Sequence, residues 1–370
     1  MKFKIKTRLL EENLKNSLLF INKANKIPTL SNVLIEATEE KIILTGTDLT
    51  TEGIVEITDD LKIYETGTVL TDTVKLLNIL KLSDKEEITL ETEGTSLIYS
   101  DESSMYELYT IETNNFSKFN IENEEFDTIL ISYKHLFKAL KETTFTAKDN
   151  AFRAYLTGIN LDTTVENKLR FISSDNFRLS CSDITIDENN PKITKIIPKK
   201  TAKQILKFSD ICKTSNIAEL NFSNKYMSLQ IENIRINSKL IDEIFPDIDV
   251  ILSRTFDKHI TVEKEKFYQS LRKAAIFSDD ESSPVIMNIE RDEIIFYSED
   301  STSGRSKNVL QVQYDFEPVK LSIKPSYFFD IENLFKNNKI TIKFTDSKSP
   351  ISIEDKENTN YKYMIQPTEC

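Results

Sequence analysis

Lysine is the residue whose spacing in this chain promises chemistry. Lys134, Lys138 and Lys141 stand at i, i+4 and i+7 opposite Leu136 and Leu140, so a helix there is apolar on one side and basic on the other. Lys200, Lys203 and Lys207, with Lys199 beside them, repeat the pattern, and Lys266 and Lys273 share a helix face seven residues apart. Ammonium groups on flexible stems suit a phosphate backbone, while an ordinary solvated face is the competing explanation for any single helix. Recurrence on several helices favours phosphate. Equipment for catalysis is sparse: the chain has two histidines, His135 and His259, and six glycines that lie singly, so neither a histidine cluster nor a Gly-rich phosphate loop is present. The acidic runs Asp59-Asp60 and Asp279-Asp280-Glu281 sit beside turn residues and read as solvated loops more than as magnesium ligands. Cys181, Cys212 and Cys370 lack the spacing of a metal knuckle or a disulfide framework. The expectation is a protein with no catalytic residues, metal or cofactor.

The elements that must position these lysines recur three times, in units of about 125 residues, longer than solenoid repeats and of the size of whole domains. A helical stretch appears at Leu14–Phe20, Leu140–Thr146 and Leu271–Phe277. A strand then runs into an acidic turn at Asp48, Asp175 and Asp300, and a second helical stretch closes each unit at Val74–Leu80, Ala202–Phe208 and Phe329–Phe335. Between them, alternating β-branched and aromatic residues predict strands such as Met105–Ile111, Ile217–Phe222 and Tyr361–Ile365. Leu10, Leu14, Leu18 and Ile21 form a stripe expected in the core. The fold class is α+β in three tandem domains, bounded at 1–125, 126–255 and 256–370.

The net charge of −12 is unevenly spread, since the central third carries more basic than acidic residues and the first third is strongly acidic. That is the balance expected of a protein that meets phosphates on one face only. The charged start Met1-Lys-Phe-Lys-Ile-Lys-Thr-Arg8 does not resemble a signal peptide, and no apolar run is long enough to span a bilayer, so a cytoplasmic location is expected, with no membrane partner.

Four segments carry a family resemblance over the whole chain: Leu44-Thr-Gly-Thr-Asp-Leu49, Ser173-Ser-Asp-Asn-Phe-Arg-Leu179, Ile196-Ile-Pro-Lys-Lys200 and Ser238-Lys-Leu-Ile-Asp-Glu-Ile-Phe-Pro-Asp247. With them the chain resembles the bacterial β sliding clamps, the processivity subunits of replicative DNA polymerases. The resemblance implies a head-to-tail, ring-shaped homodimer of six clamp domains, each with two helices on the inner face and antiparallel sheets outside. It implies double-stranded DNA held without sequence readout, and short peptide motifs bound from the polymerase, the clamp loader and repair proteins. Sliding demands contacts to phosphates, which carry no base information. DNA contacts are accordingly expected from the helical lysines, from Lys23 and Lys26, and from Arg153 and Tyr155. Ala24 stands where the family often has arginine.

The resemblance carries a peptide pocket onto Leu156, onto Ser174, Asn176, Phe177, Arg178 and Leu179, onto Pro246 and Ile251, and onto the tail Met364, Ile365, Gln366, Pro367, Thr368 and Glu369. An apolar trough among these can bury a Leu or Phe anchor inside a polar rim. Phe177 stands where the family often has histidine, and Glu369 where it often has a basic residue. The dimer interface is carried onto the edge strand Met105–Tyr109, with Tyr106 and Leu108, and onto Ile276, Phe277, Arg305 and Lys307. Asp101, Glu102 and Glu107 on one side and Arg305 and Lys307 on the other suggest ion pairs reversed in polarity from the family's usual arrangement. The alternatives are a divergent clamp-like scaffold that does not load on DNA and a metal-dependent hydrolase using Asp279–Glu281.

Overall fold

A computed structural model describes residues 1–211, 217–278 and 284–368. The chain divides into two compact units, Met1–Leu136 with Lys200–Leu240, and Phe137–Lys199 with Ile241–Cys370. This division runs across the expected boundaries at 125/126 and 255/256, because strand pairing does. In the first unit Ile234–Lys239 pairs with Thr51–Ile57, and in the second Arg178–Thr185 pairs with Tyr361–Ile365.

Among the described residues of the first unit, thirteen antiparallel strands form one sheet, ending at Asp127–Ser132 on one side and Leu61–Glu65 on the other. The helices Thr7–Ser17 and Thr73–Leu82 pack against each other, and Leu10, Leu14, Leu76 and Leu80 are fully buried beneath them. Asp72 caps the second helix by accepting from the Lys75 amide at 3.0 Å, satisfying one of the otherwise orphaned first-turn donors. Leu18 and Ile21 complete the expected stripe, and both are buried.

Among the described residues of the second unit an eight-stranded sheet runs from Thr194–Pro198 to Lys258–Glu263, and a four-stranded sheet has Gly304–Gln311 and Val319–Ile323 at its edges. The helix Lys264–Ala274 buries Phe267, Tyr268 and Leu271, with the Phe267 ring edge-on to Phe296 at 5.6 Å. The expected helix at Phe329–Phe335 is instead Pro325–Phe329, which starts on a proline whose missing N–H needs no partner, and turns follow it.

The threefold repeat reduces to two local devices. The acidic turn is the first. Asp48 accepts from the amides of Thr50 and Thr51, Asp175 from those of Phe177 and Arg178, and Asp300 from those of Thr302 and Ser303. Each carboxylate thus closes its turn two and three residues on. At Asp300 the Thr302 and Ser303 hydroxyls, together with these amides, hold the carboxyl far below the usual carboxylate range.

The second device joins a strand to the end of the first helix. Ser173 and Ser298 donate to the carbonyls of Thr143 and Ala274, each at 2.5 Å. At the matching position the first copy has Gly46, where a Cβ would lie 2.6 Å from the Ser17 carbonyl. Gly46 pairs across the sheet with Gly53, against which the Phe20 ring is pressed while it stacks on Phe208 at 6.0 Å. Two serines satisfy this carbonyl with a hydroxyl, and a glycine pair admits the helix end directly. Among the described residues no helix is long and apolar enough to cross a membrane.

A Cβ on Gly53 would stand 1.9 Å from the Phe20 ring, so Gly53→Ala must displace that ring from its stack on Phe208. The expected cost is about 1–3 kcal/mol, read as a lowered midpoint in urea or thermal unfolding, with partial recovery when Phe20→Leu is added.

Candidate functional site

The candidate site lies wholly within the second compact unit, where the Asp175 turn meets the last strand. Arg178 and Leu179 pair with Ile365 and Met364, and the Gln366 amide donates to the Phe177 carbonyl at 2.7 Å. Asn176 takes a left-handed conformation with φ 79°, tolerable for asparagine, and this turns the chain so that successive side chains part company. Phe177 projects into solvent at 52% exposure, while Arg178 folds back into the protein.

Arg178 is held from several directions. Its Nε donates to Asp175 Oδ2 at 2.9 Å and its Nη1 to Asp330 Oδ2 at 2.5 Å, and the guanidinium lies 4.5 Å from the Tyr327 ring centre and 5.5 Å from that of Phe145. Burial opposes the Arg178 charge, but Tyr363 and the carboxylates prevail and raise its pKa. Tyr363, whose hydroxyl donates to the Tyr327 carbonyl at 3.0 Å, has its pKa raised by burial. Arg178 therefore acts as a strut beneath the turn.

In front of this turn opens a cavity of about 240 Å³. Leu156, Leu179, Phe245, Ile248 and Met364 form its buried floor, and Ile251 and Phe177 stand exposed at its rim. Ser174, Asn176, Asp247 and Gln366 give the rim polar groups. An apolar well of this size, mostly preformed and edged by hydrogen-bonding groups, can take one or two large apolar side chains of an extended peptide.

Eleven of the expected pocket residues line this cavity: Leu156, Ser174, Asn176, Phe177, Arg178, Leu179, Pro246, Ile251, Met364, Ile365 and Gln366. Pro367 and Thr368 do not. Pro367 is buried, and Thr368 is bonded to Ser322, amide to carbonyl at 2.9 Å and hydroxyl to hydroxyl at 2.6 Å, because the tail continues along the strand Val319–Ile323. Glu369 lies outside the described residues, as do Cys212, Cys370 and Asp279–Glu281.

Tyr155, expected at DNA, is instead 9% exposed in the cavity wall, edge-on to Phe245 at 5.5 Å, and its hydroxyl accepts from exposed Arg153 at 3.2 Å. Phe245, Asp247, Ile248 and Pro350 were not anticipated. Phe245 and Asp247 sit in the segment Ser238–Asp247 whose likeness to the family was already visible, and Ile248 directly follows it, so that segment was the available signal.

The lysines fall into two groups. Lys134 and Lys141 on the helix Tyr133–Thr143, Lys207, Lys273, Lys23 and Lys26 are exposed, as is Lys203. Others have carboxylate neighbours: Lys199 with Asp149 at 3.1 Å, Lys266 with Glu263 at 2.8 Å, Lys200 with Asp48, and Lys138 3.7 Å from Glu142 while donating to Asn358 at 2.7 Å.

Of the expected interface residues, Leu108 is buried at 6% exposure on the face of the strand Met105–Ile111 that it shares with Tyr106, whose half-exposed ring stands edge-on to buried Tyr99 at 5.5 Å, while Met105 and Tyr109 are exposed on the opposite face. That strand is paired with Ser96–Ser100 along its length but with Gly67–Thr71 only at Thr110 and Ile111, leaving Met105–Tyr109 with an open edge. In the second unit Gly304–Gln311 is also an edge strand, with Arg305, Lys307 and Val309 exposed in alternation and Arg305 opposite Glu299 in its own hairpin. Ile276 is 72% exposed, and the Phe277 ring rests near Gly304. Cys181 is a buried thiol whose pKa burial drives upward, which leaves it unreactive. Among the described residues no cluster of His, Cys, Asp and Glu is arranged to hold a metal ion.

Comparison with known proteins addresses the whole chain. It is 25% identical over 368 residues to the Beta sliding clamp of Haemophilus influenzae, covering 99% of each chain. Its fold matches the DNA polymerase III subunit beta of Pseudomonas aeruginosa with a TM-score of 0.94, at 20% identity and over all of both chains. A sliding clamp from the same organism, solved bound to griselimycin, matches with a TM-score of 0.93 at 20% identity, again over both whole chains. Family models described as the N-terminal, central and C-terminal domains of the DNA polymerase III beta subunit match residues 1–121, 130–247 and 250–369. With those three domains matched in order along nearly its whole length, the chain belongs to the family of DNA polymerase III beta subunits, the bacterial β sliding clamps.

Proposed function

We propose that this chain is the processivity clamp of a replicative DNA polymerase: two copies close head to tail around duplex DNA and tether partners through the cavity beside Phe177. The observation that carries this reading is the full-length, in-order match to the three beta-subunit domains. Domains bounded at 1–125, 126–255 and 256–370 then account for the recurrence of the Asp turn at residues 48, 175 and 300. The clamp acts by topology and needs no catalytic group. Exposed lysines on apolar-backed helices support contact with phosphates, and a preformed apolar well with a polar rim supports peptide capture.

The direct test is retention. Loaded by its cognate loader, the protein should stay on nicked circular DNA and run off once that DNA is linearised. Failure to be retained would favour a scaffold that does not load.

The lysine pairings grade the DNA contacts. Lys134→Ala with Lys141→Ala should reduce the slope of log affinity against log salt by about two, one for each phosphate no longer neutralised. Lys199→Ala with Lys200→Ala should reduce it less, since both ammonium groups already sit beside carboxylates. Anisotropy titrations on duplex DNA across a salt series give both slopes, and equal reductions would remove the distinction.

Ring closure is assigned to the two open edges, Met105–Tyr109 of one copy against Gly304–Gln311 of its partner, an arrangement that protects both from unwanted pairing. With acids on the first side and Arg305 and Lys307 on the second, Arg305→Glu with Lys307→Glu should weaken the dimer about tenfold at low salt, at up to about 1 kcal/mol for each surface pair. Light scattering or sedimentation measures this, and an unchanged dimer would refute the reversed polarity.

A further inference from the structure

Two lysines far apart in sequence converge on the exposed aromatic ring at the cavity's rim. Lys148 Nζ lies 5.8 Å and Lys324 Nζ 5.7 Å from the centre of the Phe177 ring, and Lys324 Nζ is also 5.7 Å from that of Tyr327. Both lysines are half-buried, so their stems are packed and their ammonium groups are held near the ring. Their backbones are fixed as well: the Lys148 amide donates to the Leu156 carbonyl at 2.8 Å, and the Lys324 carbonyl accepts from the Tyr327 amide at 3.1 Å. Phe177 is pinned from both sides, its amide donating to Asp175 and its carbonyl accepting from Gln366.

Arg178, the basic group of the turn itself, is already matched with Asp175 and Asp330. Among the described residues neither Lys148 nor Lys324 has a carboxylate within ion-pair distance, and their ammonium groups face aromatic rings. An aromatic face attracts a cation without neutralising it. Two preplaced positive charges beside an apolar well are complementary to one kind of ligand, an apolar anchor with a carboxylate next to it.

We propose that Lys148 and Lys324, gathered around Phe177, make this pocket selective for peptides whose apolar anchor is flanked by acidic residues. This rests on the reading of the cavity as a peptide site. Neither lysine need touch the anchor itself. Their contribution is to discriminate among peptides that share it, and being partly exposed it should be screened by salt.

The test uses the full-length protein and two sets of fluorescent peptides, each carrying a Leu-Phe anchor with either an Asp-Asp or an Asn-Asn pair, placed before the anchor in one set and after it in the other. At low salt one of the acidic peptides should bind about five- to tenfold more tightly than its Asn counterpart, a gap typical of one or two partly exposed charge pairs. Raising the salt should close that gap, as should the Lys148→Ala, Lys324→Ala double variant, which should bind the Asn peptide as the wild type does. Equal affinities for acidic and neutral peptides in the wild-type protein would overturn the selectivity while leaving the peptide site standing. Failure of every peptide to bind would overturn the peptide site and the selectivity together. A double variant that no longer bound the Asn peptide would show that the lysines support the well itself, which also overturns the proposal.

Discussion

The site depends on one buried ion pair, that of Arg178 with Asp175. The Asp175 carboxylate serves twice, accepting two backbone amides that close the turn and one N–H from the arginine that braces it. With the guanidinium sandwiched against Tyr327 and bonded to Asp330, the turn has little freedom, and Phe177 has nowhere to go but outward. Such a pair is poor evidence of net stability, because removing two charges from water is costly. Its value lies in geometry. Breaking it would strand a charge and release the rim of the cavity, so it behaves as a specification of shape.

The same turn in the other two copies shows how a shared device has been put to separate ends. Asp48 lends its remaining oxygen to Lys200, drawing that lysine toward the protein. Asp300 takes the Thr302 and Ser303 hydroxyls at the foot of the edge strand Gly304–Gln311. The helix-end contact has diverged in parallel, with serine at two positions and glycine at the third. In the first copy the glycine at 46 lets the helix end approach the strand, and its cross-strand partner Gly53 leaves room for the Phe20 ring.

How far the sequence foretold this depends on the range of the interaction involved. Local periodicity revealed the helix stripe of Leu10, Leu14 and Leu18 and the spacing of the three aspartates, since each rests on neighbours a few residues away. Most of the pocket was legible through the likeness of the Ser173–Leu179 segment to a known family. What escaped was set by contacts between distant residues. Nothing near Lys200 announces Asp48, and nothing near Tyr155 announces Phe245. Tyr106 and Leu108 share a strand face, yet only the neighbouring strand decides that Leu108 is covered and Tyr106 half-exposed, and the helix expected at Phe329–Phe335 gave way to one begun by Pro325.

The two open strand edges have a further consequence for the free chain. They are unlike each other and belong to different compact units, so one pairing between two copies leaves one edge of each kind unused unless a second pairing consumes them. Such head-to-tail joining either closes after a fixed number of copies or goes on indefinitely. If copies pair through these edges as proposed, the solubility of the protein is a question of ring closure competing with chain growth. In that pairing the charges along the edges, Glu107 on one and Arg305 and Lys307 on the other, would set how fast the first encounter occurs, whereas the angle between successive copies would decide between a small closed particle and a filament.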